Sequence, residues 1–215
     1  MDSLPEDYFV TSMQFTKHVY RDTYPSIDPT SPALSQKGKV IIITGASRGL
    51  GARAFVPSFA KAGAKAIVLV ARDPERLKTA EAEFKSSYPN THFLSISCDV
   101  SDEESVKHLF AKVEEAFGHA NVLVNNAGVL QTGGNVKDVE GAAWWKEMTL
   151  NSYGNFLVTQ YFLKSTPADA KSTIISLTTG AAHQVYPGLS AYALSKLVVL
   201  LSQFSDPNPA LRRAL

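Results

Sequence analysis

The chain has 215 residues, of which 45% are hydrophobic and 19% charged, and its formal net charge is +1. That length accommodates one domain with a substantial core, and the composition excludes disordered and collagen-like chains. With no long basic block, the charge balance argues against a nucleic-acid or membrane-surface partner.

Residues 1–36 read as an arm, because Pro25, Pro29 and Pro32 lie close together among Ser and Thr and disfavour a regular element. From Gly38 the character changes. Lys39 to Thr44 is a β-branched run ended by Gly45 and reads as a buried strand. Arg53 to Ala62 reads as a helix that Pro57 should bend or shorten. Lys65 to Ala71 is a second buried strand. Pro74 to Ser86 is an amphipathic helix with Leu77, Ala80 and Phe84 on one face. Thr91 to Cys98 is the third strand. The next helix is expected to open on Ser101 as N-cap, with Glu104 at capping-box spacing and Val106, Leu109, Phe110 and Val113 as its apolar stripe. Asn121 to Asn125 is the fourth strand, Trp144 to Lys164 a long helix around Gly154, Ser172 to Leu177 the fifth strand, and Ala191 to Phe204 the last helix.

This alternation predicts an α/β fold, a doubly wound parallel sheet with helices on both faces. Residues 37–215 form a single domain in this reading, with no repeat and no linker to divide it. The one cysteine, Cys98, allows no internal disulfide, and no Cys/His cluster suggests a metal. Cys98 follows Phe93, Leu94 and Ile96 and reads as a buried small hydrophobe. Asp2, Glu6 and Asp7 stand where a signal peptide would be positive and then apolar. No apolar run reaches the ~18 residues of a membrane span. A cytoplasmic location is expected.

The first strand runs into Thr44-Gly45-Ala46-Ser47-Arg48-Gly49-Leu50-Gly51. Glycines let a backbone turn tightly and approach a pyrophosphate, and the helix that follows directs its amides at the anion. The spacing, Gly-x-x-x-Gly-x-Gly, differs from the usual dinucleotide fingerprint. Its place after the first strand of an alternating chain is where such sheets bind dinucleotides. The second strand ends in Val70-Ala71-Arg72-Asp73. An acidic residue there would bond the ribose hydroxyls of NAD, whereas an arginine accommodates a 2′-phosphate. Arg72, with Arg48 in the turn, favours NADP(H) over NAD(H), and Asp73 is the competing signal.

Tyr192 and Lys196 lie four residues apart and share a helix face. A free phenol has a pKa of about 10, which a fixed positive neighbour lowers toward a useful acid–base range. Thr44-Gly45-x-x-x-Gly49-x-Gly51, then Asn125-Asn126-Ala127-Gly128, then Tyr192-x-x-x-Lys196, resembles the short-chain dehydrogenase/reductase family over roughly residues 38–204. Cys98-Asp99-Val100 and Asn151 in Leu150-Asn151-Ser152-Tyr153-Gly154 are similar to that family as well.

The resemblance implies a Rossmann-type domain and an oxidoreductase that interconverts a ketone and a secondary alcohol. Tyr192 would give or take the proton. Lys196 would lower the Tyr192 pKa and bond the nicotinamide ribose, and Asn151 would hold a relay water to Lys196. Gly45, Ser47, Arg48, Gly49, Leu50 and Gly51 would line the pyrophosphate side, with Arg72 at the ribose. Asp99 and Val100 would lie at the adenine, and Asn125, Ala127 and Gly128 would shape the cleft. The asparagines also suit turn formation or helix capping.

Two departures stand out. Where the family usually has a serine, thirteen residues before the tyrosine, this chain has Thr179, which keeps the hydroxyl; Ser176 is a weaker alternative. After the last helix come Asp206-Pro207-Asn208-Pro209 and a short tail, so about five strands are expected, with the usual last two missing and the fifth at an open edge. The rival reading is therefore a nucleotide-binding or regulatory protein of weak or no activity. The resemblance also implies a homodimer or homotetramer, through Val158, Tyr161 and Phe162 with Leu197, Leu200 and Leu201. The Tyr24-Pro25 to Pro32 arm is similar to fungal members, many of which act on secondary-metabolite carbonyls. His183 and Tyr186 are candidates to face a substrate.

Overall fold

The computed structural model describes residues 5, 8–11, 14, 16–20, 22–202 and 211–214. The strands are β1 (Val40–Thr44), β2 (Ala66–Ala71), β3 (His92–Ser97), β4 (Val122–Asn125), β5 (Ser172–Ser176) and β6 (Leu211–Ala214). The helices are α1 (Tyr8–Thr11), α2 (Val56–Lys61), α3 (Pro74–Ser87), α4 (Glu103–Phe117), α5 (Gly141–Met148), α6 (Gly154–Ser165) and α7 (Ser190–Ser202). The six strands form one parallel sheet in the order β3-β2-β1-β4-β5-β6. The expected doubly wound α/β sheet is present, and all five expected strands are in it.

All five residues of β1 are buried, because both faces of the strand are covered. Ile42 points into one core with Val68, Leu123 and Ile174 and with Val106, Leu109 and Phe162 from α4 and α6. Ile41 and Ile43 point into the other with Ile67, Leu69 and Val56, and with Leu77 and Phe84 from α3. Replacing Ile42 with Ala leaves a void that a close-packed sheet cannot fill. The expected loss is roughly 2–5 kcal/mol in denaturant unfolding; a loss below about 1 kcal/mol would show that this layer repacks freely.

Several expectations are corrected. A strand does follow the last helix: Leu211–Ala214 pairs in parallel with β5, from Ser172↔Leu211 to Ile175↔Ala214, so β5 is not the open edge. The tail lacks a long apolar run, and a four-residue edge strand needs none, since its pairing is made by backbone. The last helix ends at Ser202 among the described residues, and Phe204 lies outside them. In the arm, α1 and two 3-10 turns form, Pro25–Ile27 and Pro32–Leu34. Each 3-10 turn begins on its proline, whose fixed φ suits a first helical position. The N-cap of α4 is Asp102, which accepts from the Ser105 amide, and not Ser101. Ser101 is held instead by Asp99, which accepts from its amide and its hydroxyl.

Pro57 neither breaks nor ends its helix. It is preceded by a π-helical turn, Gly51–Phe55, in which the Val56 amide bonds to the Gly51 carbonyl. A wide turn accommodates a ring that would otherwise press on the carbonyl four residues back. A second wide turn, Thr149–Tyr153, joins α5 to α6.

Candidate functional site

The carboxyl ends of β1 and β4 are latched together, and the latch begins with Thr44. Its hydroxyl donates to the Val124 carbonyl (3.3 Å) and accepts from the amides of Asn126 and Ala127, each at 3.0 Å. The Asn126 amide group returns the contact, donating to the carbonyls of Thr44 (2.8 Å) and Gly45 (3.2 Å). Gly45 has φ +69°, and a Cβ there would come within 2.8 Å of Asn126 Nδ2. A Cβ on Gly51 would collide with the Gly45 carbonyl oxygen. The glycine turn is thus folded tightly against itself and against the end of β4.

Beyond these two strand ends lies a cavity of about 640 Å³. Gly45, Ser47, Arg48, Gly49 and Leu50 form one wall, and Asn126, Ala127, Gly128, Val129 and Leu130 another. Arg72, Asp73 and Arg76 stand at one end with Cys98 and Val100, while Leu177, Thr178, Tyr192 and Lys196 stand at the other. Most of the expected site residues therefore meet around one space. A turn of backbone amides, a guanidinium-rich end and a phenol–ammonium end suit an extended dinucleotide.

Some expected residues stand elsewhere. Asn125 is buried beneath the cavity, donating to Thr159 Oγ1 at 2.9 Å, and acts as a joint between β4 and α6. Asp99 is off the cavity wall. Burial pushes its carboxyl up, but the Ser101 hydroxyl and amide, with Arg72 nearby, overcome this and hold it low. Thr179 is also off the wall, its hydroxyl accepting from the Ala181 amide at the start of a 3-10 turn. The hydroxyl on the wall belongs to Thr178, which donates to the Lys196 carbonyl at 3.1 Å. Ser176 is buried within β5.

Asn151 is 1% exposed. Its Oδ1 accepts from the Val129 amide, and its Nδ2 donates to the Val129 carbonyl and to Ser195 Oγ. The side chain thus splints the wall after β4 to α7. A Cβ on Gly128 would lie 3.4 Å from both Asn151 Oδ1 and Lys196 Nζ, so the two groups flank the same point of that wall.

The Tyr192–Lys196 pair shares a helix face, with Nζ 5.9 Å from the ring centroid. The expected lowering of the Tyr192 pKa is not found. Burial, with the Glu147 carboxylate adding to it, holds the phenol above its ordinary value. Burial also holds Lys196 below its own. The reason is geometric: the ammonium donates to the Leu177 carbonyl at 2.9 Å, and desolvation leads at both groups.

Arg76, Asn126, Thr178 and Glu147 were not among the expected site residues. Arg76 had a signal: it lies three residues past Asp73, one turn into a helix that starts at Pro74. Asp73 caps that helix, accepting from the Arg76 amide, and pairs with its guanidinium at 3.1 Å. Its acidity is thereby turned toward α3. Cys98 is buried, as expected, and burial pushes its thiol up. The proposed contact face also changes. Val158 and Phe162 belong to the chain's own core, and the apolar side chains exposed on α6, α7 and the turn before α6 are Tyr153, Phe156, Leu194, Val198 and Leu201. His183 and Tyr186 are exposed in the segment before α7. Among the described residues no helix is long and apolar enough to cross a membrane, and no cluster of metal-ligating side chains occurs.

A parallel sheet with a glycine turn after β1 and a Tyr-x-x-x-Lys helix on the same cavity defines a class of dinucleotide-binding fold. Residues 39–203 match the family model described as short chain dehydrogenase, and the chain belongs to that family. Its curated relatives are mostly fungal. Short chain dehydrogenase pigC of Monascus ruber is 41% identical over 201 residues, which cover 91% of this chain and 63% of pigC. The chain thus spans less than two thirds of that relative's length. Among solved structures, NAD+-bound xylitol dehydrogenase superposes with a TM-score of 0.76 at 26% identity, covering 83% of this chain and 68% of the other. L-sorbose reductase from Gluconobacter frateurii, complexed with NADPH and L-sorbose, gives 0.72 at 29% identity, covering 79% and 63%. The family comprises oxidoreductases that use a nicotinamide dinucleotide, and these two neighbours carry different ones.

Proposed function

We propose that this chain is an NADP(H)-dependent oxidoreductase interconverting a ketone and a secondary alcohol. One observation carries the reading: the Tyr192 phenol and Lys196 ammonium line the same cavity as the glycine turn and the arginines. When bound, the nicotinamide supplies or accepts the hydride. In this reading the Gly45–Gly51 turn holds the pyrophosphate, and Ala127 and Gly128 form the opposite wall. Val100 and Asp99 mark the adenine side. Tyr192 hands its proton to the substrate oxygen in reduction and recovers it in oxidation. Lys196 holds the ribose, and Asn151 fixes the wall beside it, with the relay water as its further role in this reading. Thr179 takes the family's serine position, with Thr178 the nearer hydroxyl. Residues 37–215 work as one domain behind an N-terminal arm.

The substrate class, a secondary-metabolite carbonyl, rests on the fungal relatives, and the cytoplasm is the proposed compartment. A second copy is expected to cover Tyr153, Phe156, Leu194, Val198 and Leu201, giving a homodimer or homotetramer. Arg72 and Arg48 support the 2′-phosphate, since Asp73 is occupied by Arg76. Arg72→Ser should then weaken NADPH about ten- to a hundredfold and leave NADH nearly unchanged, the cost of one charge-assisted contact. Titration of the purified chain with both cofactors, followed by turnover on a ketone panel, tests the proposal. NADPH consumption supports it. Binding without consumption across the panel selects a second reading, a nucleotide-binding protein without turnover, which the place of Thr179 off the cavity wall favours.

A further inference from the structure

Glu147 is the one buried acidic side chain among the described residues, at 2% exposure. Its Oε2 accepts from the amides of Gln131 and Thr132, each at 2.8 Å, and from the Thr132 hydroxyl at 3.0 Å. Its Oε1 is buried with no hydrogen-bond partner, and no ion pair among the described residues includes the carboxylate. Burying a charge without a counter-ion is costly, and an apolar residue would pack here at lower free energy. What the charge supplies is a strong acceptor, since a bond to an ionised group is roughly twice as strong as a neutral one.

The three donors sit at a particular point of the cavity wall. Residues 126–130 line the cavity in succession. The Thr44 hydroxyl fixes Asn126 and Ala127, and the Asn151 side chain fixes Val129. A Cβ on Gly128 would lie 3.4 Å from Lys196 Nζ, so the wall passes the ammonium there and runs on to Leu130. Glu147 takes hold at the next two residues. Leu130, 54% exposed and on the wall, is thus pinned between two clamps.

The hold extends further. The Gly134 amide donates to the Gly188 carbonyl at 3.1 Å, and a Cβ on Gly188 would lie 3.2 Å from the Gly134 nitrogen. One turn before Glu147, Trp144 Nε1 donates to Ser190 Oγ at 3.0 Å. Trp144 and Glu147 share a face of α5, and each holds one of the two segments that meet at Gly134 and Gly188. These bonds close a frame from α5 through 131–134 and 188–190 back to α5. Tyr192 stands two residues past its corner at Ser190.

We propose that Glu147 is a positioning residue and Leu130 the substrate-facing side chain it positions: the carboxylate clamps residues 131–132, seats Leu130 in the wall beyond Lys196 and ties that wall to the segment leading into Tyr192. This rests on the reading of the cavity as the NADP(H) and ketone site. With Lys196 at the nicotinamide ribose, the wall beyond it is left to the substrate, and an apolar residue there selects a carbonyl flanked by an apolar group.

The test combines residue-resolved amide exchange with kinetics on a ketone that the native chain reduces. Glu147→Gln keeps the shape, removes the charge and buries an amide N–H where Oε1 finds no partner. The Gln131, Thr132 and Gly134 amides are expected to exchange about tenfold faster, the size of one lost charge-assisted bond, while those of Asn126 and Ala127 keep the native rate. KM for the ketone should rise about tenfold, with NADPH affinity within about twofold of native. A merely structural anchor would lower stability and leave the KM of the folded variant unchanged. Native exchange at Gly134, or a native KM, overturns the proposal. Leu130→Ser is expected to raise KM with the three amides unmoved, and a native KM there overturns it as well. If Glu147→Gln does not fold, Thr132→Val removes one donor and Thr132→Ser keeps it. The valine variant should show both shifts at smaller size and the serine variant neither; a valine variant indistinguishable from native overturns the proposal. A native chain that binds NADPH and reduces no ketone fails the functional reading instead, and exchange at Gly134 then decides the Glu147 clamp by itself.

Discussion

Tyr192→Phe is expected to lower kcat by about 10²–10⁴-fold while leaving NADPH affinity within a few-fold of native, the pattern of a lost general acid. The separation follows from position. Tyr192 stands at the end of the cavity away from Arg72 and Arg76, and its ring and helix remain when the hydroxyl is removed. The buried ammonium of Lys196 would persist, bonded to the Leu177 carbonyl, so the change is local. Because the native phenol is held high by burial and by Glu147, alcohol oxidation should strengthen as pH rises and carbonyl reduction should be sustained at neutral pH. Stopped assays in both directions measure this. Retention of native turnover by the phenylalanine variant would remove Tyr192 from the mechanism.

The second large effect is expected at Gly51. Its Cα faces the Gly45 carbonyl so closely that a methyl group cannot enter without moving backbone. Gly51→Ala should therefore displace the turn, and with it the amides aimed at a pyrophosphate. Misplacement on the order of 1 Å costs roughly 10²-fold in function. A loss of that size in dinucleotide affinity, read by cofactor fluorescence with the fold checked by circular dichroism, is the expected outcome. Gly49→Ala is the informative comparison. Its neighbourhood is open, so the difficulty there is only its φ of +60°. Equal affinities for Gly51→Ala and the native chain would mean that the turn is not the cofactor cradle.

The sequence carried the sheet well because the first two strands are buried on both faces and announce themselves as unbroken apolar runs. It carried the glycine turn and the Asn125–Gly128 motif for the same reason, since each sits at a strand end. What it could not carry was the choice among neighbours. Thr178 and Thr179 are chemically alike, and only the local turn decides which hydroxyl meets the cavity. Ser101 and Asp102 are both good caps, and the bonds that Ser101 donates to Asp99 settle the matter in favour of Asp102. Val158 and Phe162 are apolar enough for an interface or a core, and the helix phase, altered by the wide turn before α6, fixed them inward. β6 was illegible because backbone pairing needs no apolar pattern. Glu147 was missed because an acidic residue next to Lys146 on a helix gives no hint of burial. Its significance comes from a loop fifteen residues away.

That wide turn at Thr149–Tyr153 has a lasting effect on the architecture. A π-turn holds one residue more than an α-turn, and each residue advances a helix by about 100°. The extra residue lets one continuous rod serve two masters: Trp144 and Glu147 hold Ser190 and residues 131–132, while Leu157, Val158 and Phe162 look into the sheet. Deleting a single residue there would restore a uniform spiral and rotate one half against the other by more than a quarter revolution. The rod could then satisfy its core or its cleft, but not both. Length in this stretch is accordingly as constrained as chemistry.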